Sequence, residues 1–561
     1  MTTNDEISNI KKAYNFLNMK ALFNIFLIVL MLIVGACTDL ELQPQSTTTA
    51  STLFKDESAY RAFIARIYSG IAVTGQQGPS GDSDITSLDE GFSNYLRQYW
   101  QLEELPTDEA VIGWGDEGIQ DLHSHKWTSA NQFNRAIYYR IFFQISLANE
   151  FLRETSSDKL DARNVSLTTR NDIKQYRAEA RFMRALSYWH GIDLYGDIPF
   201  YTEDSPIGSD PPAQASRTTV FDFLDRELKE IEPDMAEPGQ NDYGRADRAA
   251  LWMLQAKLYL NEEVYTNGAS NGYSDCVAAC KKVIESGAYT LESKYRNLFT
   301  ADNNNSREII FAIPFDGLST ETWGGTTYLV HAPLGGKMVD NKNDVTGDEL
   351  KDEAAKVYGV NSGWFGLRTT SALVNLFPDV TGAADERAIF YTDGQSKEIS
   401  QNGISNFGEG YAVPKYSNLT STGQAASDLT HTDTDFPMFR LADAYLMYAE
   451  AVLRGGSGGD QGTAVNYINA LRERAYNNSN GNITADQLNL DFILDERARE
   501  LYWEGHRRTD LVRFNRFTEN GIWPHKGGEA AGVVTDKHFD IYPIPASEIL
   551  ANKKLKQNPK Y

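Results

Sequence analysis

Residues 441–453 read LADAYLMYAEAVL, and this stretch decides the fold class. Its apolar side chains recur at steps of three and four residues, which places them on one face of an α-helix. The face consists of Leu441, Ala444, Tyr445, Tyr448, Ala449 and Val452. The glycine-rich segment 455–459 follows and ends the helix, because glycine is a poor helix former. The sequence therefore predicts a helix whose Tyr448 side is buried.

Helical periodicity continues on both sides of this stretch. It predicts helices at 56–72, 135–153, 172–194, 218–231, 246–263, 274–285, 463–476 and 491–506. In the last of these, Arg507 and Arg508 follow the C-terminal end, where the helix dipole favours cations. Helices in consecutive pairs, without a strict 34-residue consensus, are typical of a degenerate tetratricopeptide-like solenoid. We therefore predict a mainly α fold.

The segment between the helical stretches has a different character. From about 291 to 438 the chain is rich in Gly, Asn, Thr and Asp, and EIIFAIP at 308–314 predicts a short strand. Long loops of this kind in a large domain are typical of binding surfaces. We expect a helical region at 53–290, and a region at 291–561 that carries binding loops, minor short strands and returning helices. The tail at 542–545, YPIP, is expected to be extended, because proline cannot continue a helix.

The N-terminus carries the pattern of a secretory signal. Its apolar run at 25–34 is shorter than the ~20 residues that span a bilayer, and it lies between Lys20 and the small residues of 35–36. Residues 34–37, VGAC, resemble a bacterial lipobox, which implies cleavage before Cys37 and acylation of its thiol. We expect a signal peptide at 1–36, with Met19 as an alternative start, and a flexible tether at 37–52.

Charge and cysteine content exclude some classes of protein. The chain has 53 Lys and Arg against 77 Asp and Glu, a net charge of −24, and such a chain repels nucleic acid. With three cysteines in 561 residues, a disulfide framework is not expected. Cys276 and Cys280 lie four apart on a predicted helix. Buried, inert thiols are favoured there over a disulfide or half of a metal site.

The charged residues and histidines show no catalytic or metal-binding pattern. The helical charges at 177–181 and 496–500 are spaced like ion pairs that hold helices in register. His123 and His125 have no visible third ligand, so structural hydrogen bonding is favoured over metal binding. Glycoside hydrolysis needs two opposed carboxylates, and 77 acidic residues offer too many pairs to single one out. We predict no cofactor, no metal and no catalysis.

Six blocks of sequence together carry a family pattern. They are YRAEARF at 176–182 with LYGDIP at 194–199, residues 245–260, LMYAEA at 446–451, ERAREL at 496–501 with EGHRR at 504–508, YPIP at 542–545 with the terminal QNPKY, and the looser ELPTDE at 104–109 through HSHKW at 123–127. In this combination the chain resembles the SusD/RagB outer-membrane lipoproteins of Bacteroidetes. The blocks follow the family's order over nearly the whole mature chain.

The resemblance implies a fold, a location and a partner. The fold is mainly helical on a four-repeat tetratricopeptide-like scaffold, and the protein is displayed on the outer membrane through its lipid. The partner is a SusC-like TonB-dependent barrel, to which the protein delivers a captured oligosaccharide. Two alternatives stay open: a RagB-like protein that captures peptides, and a lipid-anchored helical glycoside hydrolase or lyase.

Glycine-flanked tryptophans form the predicted ligand surface. Sugars offer apolar ring faces and hydroxyl edges, which exposed aromatic rings with polar neighbours match. Trp114 stands between two glycines, and Asp116 next to it supplies a hydroxyl acceptor. The other candidates are Trp323, Tyr328 and Trp364 in the loop-rich segment, and Asp108 in the looser family block. Packing of each ring against its own loop is the alternative for all these aromatics.

Overall fold

The computed structural model describes residues 54, 56–80, 83–208, 210–339 and 357–561. The predicted signal peptide, the lipid site at Cys37 and the tether at 37–52 lie outside these residues. Within Glu57–Tyr561 the chain forms one unit, in which helices from the 53–290 and 291–561 regions share a core. Across the described ranges, no helix has the length and apolarity that crossing a membrane requires.

Helices dominate the unit, as predicted. They are α1 Ser58–Ala72, α2 Tyr95–Glu104, α3 Gln120–Ser124, α4 Gln132–Glu154, α5 Ser157–Ala162, α6 Leu167–Tyr195, α7 Arg217–Ile231, α8 Arg248–Leu260, α9 Glu262–Tyr265, α10 Tyr273–Glu285, α11 Gly325–His331, α12 Ser371–Val374, α13 Leu441–Leu453, α14 Gln461–Tyr476, α15 Leu490–Leu501, α16 Arg507–Arg513 and α17 Ala546–Ala551. Successive helices pack on one another: α4 on α6, α6 on α7, α8 on α10 and α13 on α14. The pairing of consecutive helices agrees with a tetratricopeptide-like scaffold.

Short polar side chains fix where many of these helices begin. Each accepts a hydrogen bond from a backbone N–H of the first turn, which would otherwise lack a partner. The capping residues are Asn94 for α2, Asn131 for α4, Ser166 for α6, Ser216 for α7, Asp247 for α8, Asp460 for α14 and Asn489 for α15. At the other end of α6, Gly196 takes φ 72°, a conformation that glycine adopts without steric cost.

The described residues form three antiparallel two-stranded ladders, two of which join distant parts of the chain. Strands β1 (Val111–Ile112) and β5 (Leu367–Arg368) pair, as do β2 (Ile198–Pro199) and β3 (Gln214–Ala215). The third ladder joins β4 (Ile309–Ile313), which confirms the strand predicted at 308–314, to β6 (Phe436–Arg440), which was not predicted. The β1–β5 ladder connects two loops that are more than 250 residues apart in sequence.

The central helix α13 is buried on more sides than its apolar stripe predicts. Tyr448 is 2% exposed, while Tyr445 and Val452 of the same face are partly exposed, so the prediction is confirmed for most of that face. Its opposite side is buried too, including Asp443 and Glu450. Both carboxylates are paired: Asp443 with Lys257 at 2.5 Å, and Glu450 with Arg513 at 2.6 Å. A buried helix face carries charges only where each finds a partner.

The prediction of one helix over 491–506 is wrong. Helix α15 ends at Leu501, and α16 begins at Arg507 after a turn with positive φ at Trp503 (63°) and Gly505 (76°). Two buried carboxyl groups hold this turn: Glu104 accepts from Gly505 N at 2.6 Å, and Glu109 accepts from Trp503 N at 3.1 Å. Those bonds come from residues about 400 positions away, so local periodicity carries no sign of the break.

Glu104 and Glu109 form a coupled carboxyl pair beneath that turn. Burial and the neighbouring Glu109 raise the pKa of Glu104 well above its usual value. Burial also raises the pKa of Glu109 to about 7, although Arg507 opposes the shift. The folded chain therefore binds more protons than the unfolded chain. The contribution of Glu109 to folding stability is complete below the ordinary carboxyl pKa and is lost as pH rises through about 7.

Glu104→Gln is therefore expected to flatten the pH dependence of stability. The amide keeps an acceptor for the turn and has nothing to ionise, so the variant should gain about 1–3 kcal/mol relative to wild type between pH 5.5 and pH 8.5. Urea denaturation at both pH values measures this difference. Glu104→Ala, which loses the acceptor as well, should be destabilised at both. If the stability of Glu104→Gln varied with pH as much as that of wild type, the raised pKa of Glu104 would be contradicted.

The charges of the 496–500 block lie in a buried ion network, as predicted. Arg440, 1% exposed, pairs with Glu504 at 2.6 Å, Glu500 at 2.7 Å and Glu308 at 2.9 Å. Arg387 joins Glu496 and Glu500 at 2.8 and 3.2 Å. The network links β4, β6 and α15 across the core.

The 177–181 charges follow the prediction only in part. Glu179 pairs with Arg245 at 2.6 Å, and Arg181 pairs with Glu227 at 2.6 Å. Arg177 instead donates to the carbonyl oxygen of Leu152 at 2.7 Å, near the C-terminal end of α4. Carbonyl groups there lack helical partners and attract a cation, which is why this arginine needs no carboxylate.

The two cysteines and His125 take the structural roles that were favoured, whereas His123 is buried and its Nδ1 has no hydrogen-bond partner among the described residues. Cys276 and Cys280 are buried free thiols. His125 places its two ring nitrogens 2.7 Å from Pro106 O and 3.0 Å from Thr535 Oγ1, while burial lowers its pKa to about 3. The described residues contain no group of three or more His, Cys, Asp or Glu side chains arranged to hold a metal ion.

Candidate functional site: a tryptophan cluster

Three of the predicted ligand residues meet on the surface. The rings of Trp114 and Trp364 lie 6.4 Å apart between centroids, and those of Trp364 and Trp323 lie 6.0 Å apart. All three side chains are partly exposed. We call these three residues the tryptophan cluster; Trp364 is its central member.

Backbone pairing holds the loops of the cluster in register. The β1–β5 ladder is extended by a bond from Gly113 N to Gly366 O at 2.9 Å. Beyond it, Trp114 Nε1 donates to the Trp364 carbonyl oxygen at 2.9 Å. Trp364 N in turn donates to His331 O at 3.0 Å, at the end of α11. The position of the rings is therefore set by hydrogen bonds to the main chain.

Histidine rings support the cluster from the protein side. Trp364 stacks on His331 with centroids 4.8 Å apart and planes 16° apart. Trp323 lies against His431 at 4.8 Å. Burial lowers the pKa of His331 to about 4, so its ring is neutral at neutral pH. Both supported rings stay partly exposed, so part of each is left for contact with a ligand.

Most of the glycines beside the tryptophans make room for close packing, so they do not leave the rings open. A Cβ on Gly366 would lie 2.5 Å from the Trp114 ring, so this ring covers the Gly366 backbone. A Cβ on Gly324 would lie 2.2 Å from Asn94, and one on Gly363 would collide with Leu334. Gly115 differs from these three, because a Cβ there would have nothing within 4 Å among the described residues. This glycine therefore borders open space.

A buried arginine, not predicted from the sequence, lies under the cluster. Arg97 of α2 is 8% exposed, with its guanidinium 4.5 Å from the Tyr328 ring and 5.6 Å from the Trp114 ring. It donates to Trp323 O at 3.0 Å, and its Nε has no hydrogen-bond partner within the described part of the chain. Burial lowers its pKa, while Tyr328, Asp116 and Asp89 favour the cation. Because this Nε is itself buried, Arg97 acts on a ligand through its positive charge beneath the rings.

The remaining predicted ligand residues divide between surface and interior. Asp116 is exposed on the Trp114 loop. Tyr328 is fully buried, and its hydroxyl accepts from Gln101 at 3.0 Å, so it supports Arg97 and Trp114 from below. Asp108 pairs with Arg507 at 2.6 Å, which commits its carboxylate to the fold. The structure thus brings Trp114, Asp116, Trp323 and Trp364 to the surface and places Tyr328 beneath it, while the partly exposed Asp108 is held by Arg507.

Comparison with known proteins identifies the family. Residues 388–561 match the family model described as SusD family. The chain is 35% identical to the starch-binding protein SusD of Bacteroides thetaiotaomicron, over 97% of this chain and 99% of that protein. The chain belongs to the SusD family. This confirms the resemblance drawn from the six sequence blocks.

Solved structures show the same SusD fold. Surface glycan-binding protein A from Bacteroides thetaiotaomicron, in complex with laminarihexaose, matches with a TM-score of 0.65 and 18% identity, over 89% of this chain and 98% of that chain. A SusD superfamily protein from Parabacteroides distasonis matches with a TM-score of 0.67 and 21% identity, over 92% and 100%. At such identities the likeness establishes the fold.

In this SusD-family chain, the carboxyl pair with raised pKa values has a structural role. A hydrolase opposes two carboxyl groups across an accessible bond. Glu104 and Glu109 are 0% and 1% exposed, and their oxygens accept backbone N–H groups of the 502–506 turn. This pair therefore has no access to a glycosidic bond.

Proposed function

We propose that this SusD-family protein captures an oligosaccharide at the tryptophan cluster without changing it chemically. The observation that carries the proposal is the arrangement of three partly exposed indole rings above the buried guanidinium of Arg97. Two proteins that the chain resembles support it: the starch-binding protein SusD, and the surface glycan-binding protein solved with laminarihexaose.

The polar neighbours of the cluster suit a sugar. Indole faces stack on the C–H faces of pyranose rings, while hydroxyl groups need donors and acceptors at the edge. The exposed carboxylates of Asp116 and Asp89 supply acceptors, and the cationic Arg97 beneath the rings favours the oxygen atoms of a sugar. A Cβ on Gly91 would lie 3.2 Å from Asp89 and 3.9 Å from Trp323, which puts this carboxylate beside the cluster.

We further propose that the protein works at the outer membrane beside a transporter. The sequence at 34–37 supports lipidation of Cys37, and family membership supports a SusC-like TonB-dependent barrel as the partner. The lipid holds the binding protein at the surface, where captured sugar passes to the barrel. Co-purification from detergent-solubilised outer membranes tests this partnership.

The binding test uses maltohexaose and laminarihexaose, titrated separately by calorimetry into the mature protein. We expect saturable binding of at least one of them, with the sugar recovered intact by chromatography. Release of shorter products would favour the hydrolase or lyase alternative. Binding of a mixed peptide library in place of both sugars would favour the peptide-capture alternative and overturn the glycan proposal.

Gly366→Ala should weaken sugar binding about tenfold, equivalent to about 1.4 kcal/mol. The new methyl group would meet the Trp114 ring at 2.5 Å, so the ring must move away from the other two. Gly115→Ala is the matched control on the same loop pair, because its Cβ meets open space. Calorimetry on both variants measures the difference. Equal affinities would show that the position of Trp114 does not matter for the ligand.

Cys37→Ala should release the protein from the membrane. Without the thiol there is no site for acylation, and several acyl chains together are what makes such anchoring stable. Membrane and soluble fractions, probed with an antibody, should show the variant in the soluble fraction or as an uncleaved precursor. Normal signal removal with unchanged membrane retention would argue that the protein is anchored in another way.

A further inference from the structure

A large aromatic groove lies along α4, and none of its lining residues belongs to the tryptophan cluster. Its volume is about 1080 Å³. One wall presents Tyr139, Phe142 and Phe143 of α4, and the other presents Phe200 and Tyr201, which follow β2. All five rings are partly exposed. The volume is at the upper end of what ligand sites have, so the groove has room for an extended ligand.

The tyrosines turn polar groups toward the rim of this aromatic groove. The Tyr139 hydroxyl lies 2.9 Å from Ser547 Oγ, and the Tyr201 hydroxyl lies 2.9 Å from Ser146 Oγ, in exposed positions. Glu548, at the start of α17, interacts with the Tyr139 hydroxyl. Aromatic faces bordered by hydroxyl and carboxylate groups are what the faces and edges of sugar rings require.

The cations that line the groove are already paired. Arg153 meets Glu150 at 3.3 Å and donates to Glu203 O at 2.9 Å. Lys554 pairs with Asp210 at 2.6 Å. An anionic ligand would therefore find no unpaired cation among these groups and would meet the carboxylate of Glu548, so the chemistry of the groove selects an uncharged ligand.

Helix α4 connects the groove to the loop of Trp114. At its start, Asn131 donates to Gly118 O and Gln132 donates to Glu117 O, both at 2.8 Å. Phe142 follows Gln132 by ten residues, which is about 15 Å along a helix. A polysaccharide is long enough to reach both places, and two linked contacts hold a chain more tightly than either one alone.

We propose that the aromatic groove is a second binding site, separate from the tryptophan cluster, for an uncharged oligosaccharide. The proposal goes beyond the function of the cluster, because it rests on different side chains. Sugar rings stack on Phe142 and Tyr139, and their hydroxyl groups bind Glu548 and the tyrosine hydroxyls. The protein then holds one long glycan at two points, or two short ones.

The test isolates the groove by first disabling the cluster. In the mature Trp364→Ala protein, maltohexaose and laminarihexaose are titrated separately, and we expect residual binding at one site. Adding Phe142→Ala should weaken that residual binding about tenfold. Gly208→Arg places a long side chain in the groove from a position where a Cβ meets open space, and it should have the same effect without disturbing the core. Melting temperatures confirm that each variant is folded.

The outcomes separate the groove from the cluster. If wild type binds the sugar and Trp364→Ala does not, the groove proposal is overturned and the cluster is the sugar site. Residual binding that neither groove variant changes also overturns it. Absence of binding to wild type overturns both proposals. An anilinonaphthalene sulfonate dye that occupies the groove and that neither sugar displaces would show an apolar occupant instead, which again overturns the proposal.

Discussion

Trp364→Ala is expected to weaken oligosaccharide binding at the cluster ten- to a hundredfold. Trp364 is the central ring, in contact with both Trp114 and Trp323, so its loss removes the middle of the platform. Stacking of a ligand ring on one aromatic side chain contributes about 1–3 kcal/mol, judged from bases on aromatic residues, and each 1.4 kcal/mol is a factor of ten. Calorimetry with the sugar that wild type binds gives the change directly.

Trp189→Ala is the control for this substitution. Trp189 is 4% exposed, and its Nε1 donates to the Tyr265 hydroxyl at 2.9 Å inside the core. Its removal should cost about 3–5 kcal/mol of stability and leave the affinity of the folded fraction unchanged. If Trp364→Ala binds as tightly as wild type, the cluster is a structural feature and the ligand surface lies elsewhere.

Arg440→Met is expected to have the largest effect on stability. It removes the cation shared by Glu308, Glu500 and Glu504, whose side chains are 0% exposed. Breaking a buried ion pair by removing one partner costs about 3–5 kcal/mol, and here three carboxylates lose a partner at once. We expect a chain that folds poorly at 37 °C and unfolds at a much lower urea concentration than wild type.

Arg516→Met provides the matched comparison at the surface. Arg516 pairs with Asp491 at 3.0 Å, with both side chains about half exposed or more. Exposed pairs contribute about 0–1 kcal/mol, so this variant should unfold almost as wild type does. Urea denaturation followed by circular dichroism compares the two. Similar unfolding midpoints for Arg440→Met and wild type would mean that the internal network is dispensable.

The fold was predictable where apolar residues recur at steps of three and four between polar ones. The boundaries of α1, α4, α7 and α10 lie within a few residues of the predicted ones. Helix α2 is missing from the predicted helices, although its apolar residues recur at steps of three and four; the sequence gives no sign that its Arg, Gln and Glu side chains are buried as well. The break between α15 and α16 escaped because its cause, Glu104 and Glu109, comes from a distant part of the chain.

The site was predictable as residues but not as an arrangement. The sequence singled out all three tryptophans, yet their contact depends on the β1–β5 pairing. Strands of two residues are too short to be predicted from a sequence pattern. Arg97 was missed because it belongs to α2, which is not among the predicted helices, and because an arginine is not expected to be buried. Asp108 and Tyr328 were taken for ligand residues, and the partners that occupy them, Arg507 and Gln101, are far away in sequence.

The two-residue ladder between β1 and β5 has an evolutionary consequence. It clamps the bases of the loops at 113–118 and 361–366, while the ion network around Arg440 stabilises the core independently of them. Mutations at the loop tips are thus insulated from folding, and selection can diversify them freely. We therefore expect substitutions between relatives of the same fold to concentrate at these loop tips, where they change what a ligand meets without changing the scaffold.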